Sequence, residues 1–302
     1  MPELPEVEVL CRHLTPLLTG RTIRSVEVRR PKIVLPDTPG SFAEALLGAK
    51  LLSLTRRAKY LVFTLRPRGS NRAMPLIGHL GMTGRMFVDR RNAALPKHTA
   101  VVFELDRRQR FVFEDPRVFG RLSRDAAPLD SLGPEPLEDT FTPRLFAAAL
   151  RRSRQAIKVK LLDQSLVAGI GNIYASESLF RARIAPRLAA RRLTQAQVHA
   201  LWLAIRAVLG EAIAWGSTVP LSFGPEGARD GLFYFGQTNG TPNYYHERLL
   251  VYDRGGQPCV VCGTAIRRSV QAARSTFSCP RCQALHAPLS RRRPRLETDG
   301  PG

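Results

Sequence analysis

Residues 1–20 read MPELPEVEVLCRHLTPLLTG, and this stretch decides how the first part of the chain is built. Apolar side chains recur along it with a period of about 3.6 residues, which predicts an amphipathic α-helix over residues 5–19. Pro5 and Glu6 stand at the predicted start and Gly20 follows the predicted end, as is typical of helix boundaries.

Pro2 and Glu3 at the start of this stretch allow two interpretations. In the first, prolines and carboxylates begin a helix and complement its dipole. In the second, removal of Met1 leaves Pro2 with a secondary amine that attacks an aldehyde carbon and forms an iminium, with Glu3 as the neighbouring acid or base. The positive end of the helix disfavours the protonated amine, whose ordinary pKa is about 7.7–8.0. The residues alone leave both interpretations open.

After this helix the pattern changes to short runs that favour β-strands. Several such runs at this spacing predict a β-sandwich. The runs cover residues 22–29, 51–54, 60–65, 99–106, 109–114 and 118–123.

The remainder of the chain has a helical pattern interrupted by irregular stretches. Residues 131–142 contain prolines and a glycine and are typical of an interdomain linker. We therefore expect a first domain at 1–130 and a helical domain at 143–248, followed by a cysteine module at 249–286 and a disordered basic tail at 287–302. Helices are predicted at 142–152, 156–165, 172–181 and 194–214.

Four of the five cysteines form two Cys-x-x-Cys pairs that sixteen residues separate, namely Cys259, Cys262, Cys279 and Cys282. This spacing is typical of a structural zinc site, in which the four thiolates occupy every position of the tetrahedron. A disulfide framework is the alternative, although a chain with a large core has no need of one. Cys11 falls in the apolar stripe of the first helix, so we interpret it as a small core residue.

The charge balance points to a polyanionic partner. The 302 residues include 46 Lys and Arg against 25 Asp and Glu, which gives a net charge of +21 and a pI near 11.0. A hydrophobic content of 44% excludes wholesale disorder. We find no run that approaches the roughly 18 apolar residues of a membrane span, so we expect a soluble intracellular protein without a membrane partner.

The opening octapeptide, residues 1–8, resembles the start of the formamidopyrimidine-DNA glycosylases, and the resemblance recurs in order along nearly the whole chain. It implies an α+β multidomain fold, with an N-terminal helix on a two-layer β-sandwich, then a helix–two-turn–helix domain with a zinc-finger β-hairpin. One structural zinc ion and no organic cofactor are implied as well. The matching motifs are Arg56-Arg-Ala-Lys59-Tyr, His79-Leu-Gly-Met82-Thr-Gly, Asp115-Pro-Arg117-Val-Phe119-Gly, Gly133-Pro-Glu-Pro-Leu, Gly169-Ile-Gly-Asn172 and the cysteine module.

The resemblance also implies a reaction, which is the excision of oxidised purines such as 8-oxoguanine and formamidopyrimidines from DNA, followed by β,δ-elimination at the abasic site. Pro2 would attack the sugar C1′ and Glu3 would move the proton that opens the ring. Lys59 would serve as an acid or base in the lyase steps. Arg274 would assist the second elimination from the tip of the zinc hairpin.

Further positions match residues that contact DNA in this family. The partner implied is double-stranded DNA with a damaged base or an abasic site, bound by a monomer in the cytoplasm at the nucleoid. Met82, Arg117 and Phe119 would fill the space that the flipped base leaves. Contacts with the DNA backbone would come from His98, Arg152, Arg154, Lys158 and Asn172.

The resemblance weakens in residues 217–243, which in the family form a shorter loop over the flipped base. The family often has a second arginine where this chain has Val118, and a lysine where it has Ser153. These departures leave the lesion preference open, so an endonuclease VIII-like enzyme for oxidised pyrimidines is the nearest alternative. A noncatalytic binder of damaged DNA is the alternative from another class.

Overall fold

The computed structural model describes residues 2–214 and 249–285. Its contacts divide the described chain into two compact units. Most of the segment 131–142, which the sequence predicts to be a linker, belongs to the first unit. The first unit comprises residues 2–141, 163–171 and 209–214, and the second comprises 142–162, 172–208 and 249–285.

The first unit contains the predicted N-terminal helix and β-sandwich. Its helices are α1 (Leu4–Leu18) and α2 (Pro39–Leu46), and short 3₁₀ turns lie at Pro31–Val34 and Ala127–Leu129. The sheets are antiparallel, with strand orders β1-β6-β7-β5 and β2-β3-β4-β8. The strands are β1 (Ile23–Val28), β2 (Lys50–Arg57), β3 (Tyr60–Arg66), β4 (Met74–His79), β5 (Arg85–Arg90), β6 (Thr99–Leu105), β7 (Gln109–Glu114) and β8 (Arg121–Ser123).

Two of these strands, β4 and β5, are not predicted from the sequence. Pro75 and Gly78 lie within β4, and both residue types are depleted in strands. Strand β4 forms nonetheless because β3 pairs with it over six residues and β8 pairs with its other edge. Tertiary pairing here overrides the local preference.

The core of this unit lies between the two sheets and beneath the apolar face of α1. Leu10 and Leu14 of α1 are fully buried against side chains of both sheets. Cys11 is buried in the same cluster, which agrees with its interpretation as a core residue. Burial raises the pKa of its thiol to about 11, so the thiol stays protonated at neutral pH.

The strand registers give the sandwich two distinct ends, which we call the near end and the far end. The near end contains the β2–β3 turn at residues 58–59 and the loops that follow β4 and β7. The far end contains the β6–β7 turn at 106–108, and Lys50 there pairs with Arg66. Helix α1 begins towards the near end, where Glu8 contacts Arg56, and ends at the far end, where Gly20 N donates to Leu51 O.

The second unit contains short helices, most of the longer helix α6 and a β-hairpin. A small core of its own forms around Phe180, Val251 and Phe277, next to the cysteines. Helix α4 is shorter than the predicted 156–165. The elements are α3 (Pro143–Arg151), α4 (Ile157–Leu161), α5 (Asn172–Arg181), a 3₁₀ turn at Ala190–Arg192, α6 (Gln195–Ala214), β9 (Arg267–Gln271) and β10 (Arg274–Ser278).

Helix α6, whose last residues fall in the first unit, meets the length and composition criteria for a membrane span over Gln195–Ala214, with a mean hydropathy of 1.2. In its most apolar window, 39% of the helix is buried within the fold. One such helix is weak evidence for a membrane span, because core helices of soluble proteins satisfy the same criteria.

Candidate active site

The loop Gly169–Gly171 forms a platform against the first residues of the chain. Leu4 N donates to Gly169 O at 3.1 Å. Gly169 has a φ of +87°, and a Cβ there would lie 2.6 Å from the Leu4 side chain. A Cβ on Gly171 would lie 2.3 Å from the Glu3 carboxyl carbon. Only glycine fits at these two positions, because the side chains of Leu4 and Glu3 lie too close to leave room for a Cβ atom.

Glu3 is 1% exposed and lies directly on this platform. Its Oε2 accepts a hydrogen bond from Gly171 N at 2.8 Å. Its own backbone N–H donates to Glu6 Oε2 at 2.8 Å, as part of a reciprocal capping box at the start of α1. The backbone N–H of Gly171 is therefore committed to Glu3 and is not open to a phosphate.

Lys59 reaches the same platform from the β2–β3 turn. Its side chain is buried, and Nζ donates to Ile170 O at 2.9 Å. The preceding residue, Ala58, has a left-handed φ of +52°. The structure thus brings Glu3 and Lys59 to one three-residue loop, and Pro2 directly precedes Glu3 in the chain.

Glu135 holds this turn in place, which sequence reasoning did not assign. Its carboxylate accepts hydrogen bonds from Arg56 Nη1 at 2.7 Å, Arg57 Nη1 at 2.9 Å and Ala58 N at 2.6 Å. Burial alone would lower the pKa of Arg56, but the charge of Glu135 and the hydrogen bonds to Glu8 and Glu135 raise it above its ordinary value. The signal in the sequence was the motif Gly133-Pro-Glu-Pro-Leu, whose glutamate is 4% exposed.

His79 lies beside Tyr60, with the two ring centroids 4.8 Å apart. Its Nδ1 accepts a hydrogen bond from Gly81 N at 3.1 Å, so this nitrogen is unprotonated. Burial, followed by the positive charges of Lys59 and Arg121, lowers the pKa of His79 to about 4.

We expect the imidazole of His79 to titrate far below the ordinary value near 6.5. Because the folded state disfavours the proton, stability is complete above about pH 6.5 and falls as the pH decreases towards about 4. NMR titration of the ring protons measures the pKa directly. His79→Gln should flatten the stability profile between these pH values, and a midpoint for His79 near 6.5 would contradict the prediction.

The near end also presents Met82, Arg117 and Phe119 together. Met82 is 42% exposed and Phe119 is 46% exposed, which is unusual for large apolar side chains. The Arg117 guanidinium lies 4.6 Å from the centre of the Phe119 ring. A Cβ on Gly81 would lie 2.6 Å from the Phe119 carbonyl carbon, so the two loops that carry these residues touch.

Asp115 fixes the loop that carries Arg117 and Phe119. It is 1% exposed, and its Oδ2 accepts from Phe119 N at 2.8 Å and from Gly120 N at 2.7 Å. Its Oδ1 accepts from Thr83 Oγ1 at 2.6 Å, which joins this loop to the one that holds Met82. His98 is adjacent, because its carbonyl accepts from Asp115 N at 3.0 Å.

In the second unit, Lys158 and Asn172 tie α5 to strand β10. Lys158 Nζ donates to Asn172 Oδ1 at 2.6 Å, to Ser275 O at 2.9 Å and to Thr276 Oγ1 at 3.0 Å. Asn172 Nδ2 donates to Ser275 O at 2.9 Å. Lys158 is only 1% exposed, so the structure does not place it on the surface as a direct DNA contact requires.

The other predicted contacts of this unit are exposed. Arg152 and Arg154 follow α3, and Arg274 begins β10 at the tip of the hairpin. Glu177, which the sequence did not single out, accepts hydrogen bonds from the backbone N–H groups of residues 250–252 at 2.8–3.0 Å and holds the segment that leads to the cysteines. The predicted loop 217–243 and tail 287–302 lie outside the described residues.

Arg268 borders a polar cavity of about 380 Å³ beside the hairpin. Its Nε and Nη2 donate to Ser275 Oγ at 3.2 and 3.1 Å. The cavity is lined by Tyr252, Asp253, Gly255, Arg268, Ser275 and Phe277.

The four cysteines of the module form one cluster. All their Sγ atoms lie within 4.8 Å of one another, with Cys259 and Cys282 at 3.9 Å and Cys262 and Cys279 at 3.5 Å. A tetrahedral zinc ion with Zn–S bonds of about 2.3 Å requires sulfur separations of about 3.8 Å. The donor set therefore fits one zinc ion with no open position, which confirms the zinc prediction over the disulfide alternative.

Family models cover most of the chain in three segments. The N-terminal domain of formamidopyrimidine-DNA glycosylase matches residues 1–122, its H2TH domain matches 132–222, and a zinc finger found in FPG and IleRS matches 256–285. The chain belongs to the formamidopyrimidine-DNA glycosylase family. This confirms the expected fold class.

Individual members of the family resemble the chain over nearly its full length. Formamidopyrimidine-DNA glycosylases of Symbiobacterium thermophilum and Paracoccus denitrificans are each 42% identical over 94% of this chain, which covers 90% and 100% of those proteins. The crystal structure of MutM (FPG) from Thermus thermophilus matches with a TM-score of 0.77 at 38% identity, covering 95% of this chain and 100% of that one. A Lactococcus lactis FPG mutant in complex with DNA that contains Fapy-dG matches with a TM-score of 0.81 at 31% identity, covering 94% and 100%.

Removal of the zinc ion should weaken the binding of duplex DNA by at least about tenfold, because the metal holds the hairpin that carries Arg274. We expect one zinc ion per chain by elemental analysis, less than one in Cys279→Ser, and weaker duplex binding of that variant by fluorescence anisotropy. Cys11→Ala is the matched control, since it removes a buried thiol from the sandwich and should keep both properties. Equal affinity of the zinc-free and zinc-loaded proteins would contradict the prediction.

Proposed function

We propose that this protein is a base excision repair DNA glycosylase that removes oxidised purines and then cuts the strand as an abasic-site lyase. The observation that carries the proposal is that Glu3 and Lys59 both bind the loop Gly169–Gly171, with Pro2 adjacent to Glu3 in the chain. A protein that only binds DNA has no need of a prolyl amine at the start of a helix next to a buried carboxylate and a buried lysine. Family membership supports the same conclusion.

The Pro2 amine is the nucleophile in this proposal, and it exists as an amine only when Met1 has been removed. Its lone pair forms a bond to the sugar C1′ while the bond from C1′ to the damaged base breaks and the base leaves with the electron pair. The Pro2 nitrogen then loses its proton to Glu3, which passes it to the ring oxygen. The sugar opens, and an iminium links Pro2 to C1′. Lys59 acts as an acid or base in the elimination steps, and Arg274 assists the second of them.

Excision requires that the damaged base leave the helical stack, which exposes a gap in the duplex. Met82 and Phe119 are exposed apolar side chains on loops that touch each other, and they suit insertion into that gap. Arg117 presents a guanidinium beside the Phe119 ring and suits a contact with the orphaned base. Asp115 keeps the loop in one conformation, so the residues are positioned before DNA arrives.

The second unit supplies contacts to the DNA backbone. Exposed Arg152, Arg154 and Arg274 suit phosphate binding, as does Arg268 at the polar cavity beside the hairpin. We assign Lys158 a positioning role, because its ammonium group is buried and holds Asn172 against the hairpin. His98 at the near end of the first unit is proposed as a further backbone contact.

Borohydride trapping on a duplex with an abasic site tests the function. Reduction converts the iminium to a stable amine, so a covalent adduct forms only where the amine has attacked. We expect an adduct with protein that begins at Pro2 and none with protein that keeps Met1 or carries Pro2→Ala. Tight binding of the duplex without any adduct would favour the noncatalytic alternative.

A lesion panel tests the substrate class. In crystal structures, Lactococcus lactis relatives bind DNA with Fapy-dG or an abasic site. We expect faster excision of 8-oxoguanine and formamidopyrimidines than of oxidised pyrimidines. Met82, Arg117 and Phe119 are present, and Leu4 occupies a position that is usually glycine in the endonuclease VIII-like class. Preference for oxidised pyrimidines would favour that class. As a repair enzyme of duplex DNA, the protein is proposed to act as a monomer in the cytoplasm at the nucleoid.

A further inference from the structure

We infer that the far end of the β-sandwich is a second surface that binds duplex DNA, separate from the lesion site at the near end. Exposed basic side chains from both sheets and their connections meet there. The paired registers bring them to one end, because Thr22 bridges to Lys50 and Asp106 N donates to Thr22 O. The residues of this far-end basic surface are Arg24, Lys50, Arg66, Arg68, Arg90, Arg91, Arg107 and Arg108.

Nearby carboxylates do not neutralise this surface. Asp106 is engaged by the buried Arg21, whose Nε lies 3.1 Å from Oδ1. Asp89 is buried and pairs with the buried Arg110 at 3.2 Å. Glu104 lies 3.1 Å from Arg91 and offsets that one charge. The far-end basic surface therefore keeps a large positive excess, which attracts a polyanion.

In the β6–β7 turn, two of these arginines occupy positions where the backbone conformation favours other residue types. Arg107 and Arg108 both have left-handed φ values, of 55° and 57°. Gln109 N donates to Asp106 O across the turn at 3.4 Å. Two-residue turns with positive φ at both central positions favour Asn-Gly, and long side chains are disfavoured there. The turn geometry therefore does not account for these two residue types, and what they add to the exposed tip is positive charge.

Double-stranded DNA fits this surface better than a single strand does. Proteins that bind single strands combine basic grooves with exposed aromatic rings on which bases stack. Among the large exposed apolar side chains of the described residues, the one aromatic ring is Phe119, and it lies at the near end. Guanidinium groups bind phosphates without the help of aromatic rings, and a duplex presents its phosphates in two rows, one along each strand.

The two DNA surfaces of the first unit are far enough apart to be occupied together. Helix α1 runs between the two ends and has 15 residues, which corresponds to about 22 Å at about 1.5 Å per residue. A repair enzyme with a duplex at the near end can thus hold a second duplex segment at the far end. Such bridging would allow direct transfer between DNA segments during the search for lesions.

The test uses the full-length chain with its lesion site filled by an unlabelled duplex that contains a tetrahydrofuran abasic analogue. A fluorescent undamaged duplex is then titrated, and its anisotropy is measured at several salt concentrations. The variant R107N/R108G places the preferred residues in the turn and removes two charges. R107K/R108K is the matched control, since it keeps the charges on the same backbone.

We expect the filled wild-type protein to bind the second duplex, and R107N/R108G to bind it at least about tenfold more weakly. The slope of log K against log salt should fall by about 1.8, which is two contacts at about 0.9 each. The melting temperature of R107N/R108G should equal or exceed that of the wild type, which excludes misfolding as the cause. R107K/R108K should bind within about threefold of the wild type.

Other results would overturn the inference. If the filled wild-type protein does not bind the second duplex, it has no second surface of this kind. If it binds an acidic peptide but not the duplex, the surface would be assigned to a protein partner. Equal affinity of R107N/R108G and wild type would place the contact elsewhere. Failure of the tetrahydrofuran duplex itself to bind would instead count against the proposed function. In that case, titration of the unfilled wild type and variants would still measure the affinity of the far-end basic surface for duplex DNA.

Discussion

Glu3→Gln should lower the rate of base excision by about 10³-fold, which is the range of general acid–base catalysis. The glutamine has no proton to transfer to the sugar, whereas its amide oxygen can still accept the hydrogen bond from Gly171 N. The platform is therefore retained while the chemistry is lost. Single-turnover excision of 8-oxoguanine from a duplex measures the effect.

Two further measurements separate the chemical role of Glu3 from a structural one. Glu6→Gln is the matched control, because Glu6 belongs to the same capping box and its carboxylate accepts from Glu3 N. We expect it to change the excision rate by less than about tenfold. Glu3→Gln should also retain the borohydride adduct on a preformed abasic site, since the Pro2 amine is intact. Equal losses in both variants would show that Glu3 only shapes the helix start.

Glu135→Ala should destabilise the first unit by about 3–5 kcal/mol, because it breaks buried ion pairs and leaves Arg56 with Glu8 as its one carboxylate partner among the described residues. Arg56 is largely buried, and both Arg56 and Arg57 lose their carboxylate at 2.7 and 2.9 Å. The N–H of Ala58 loses its acceptor as well. The melting temperature should decrease by roughly 10 °C in calorimetry or circular dichroism.

The exposed Asp139 of the same segment provides the control for this prediction. Asp139→Ala should change the stability by no more than about 0.5 kcal/mol, as is usual for surface substitutions. Glu135→Gln keeps the shape of the side chain but not its charge, so its melting temperature should lie between those of Glu135→Ala and Asp139→Ala. Because Glu135 holds the turn that precedes Lys59, its variants should also slow the lyase step. A stability of Glu135→Ala within about 0.5 kcal/mol of wild type would show that water replaces the carboxylate.

The sequence predicts the elements whose signal is local. Helix α1 follows from the apolar period and its end residues, and most strands of the sandwich follow from short β-favouring runs. The zinc site follows from the cysteine spacing alone, because close thiolate pairs have few other uses in a chain with a large core. Strand β4 escaped prediction, since Pro75 and Gly78 weaken its local signal and only pairing with its neighbours forms it.

The candidate site shows the same division. Motifs identified Pro2, Glu3 and Lys59 as chemical groups, yet no motif states that Glu3 and Lys59 meet at residues 170–171, more than one hundred positions along the chain. The role of Glu135 could not be predicted for the same reason, because its partners Arg56 and Arg57 lie 79 and 78 positions away in the chain. Lys158 was expected to contact DNA, and its burial against Asn172 depends on how α4, α5 and β10 pack.

By itself, therefore, the amino-acid sequence determined the family, the residue types that perform the chemistry, the zinc ligands and the strong positive charge, because these depend on composition and on spacing along the chain. The tertiary structure alone decided which charges are buried and paired and which remain exposed. Asp89, Asp106 and Glu135 are committed to internal arginines, while Arg107 and Arg108 remain exposed at the far end. The reason is physical: burial and pairing depend on distances between residues that are remote in the chain, and only folding sets those distances.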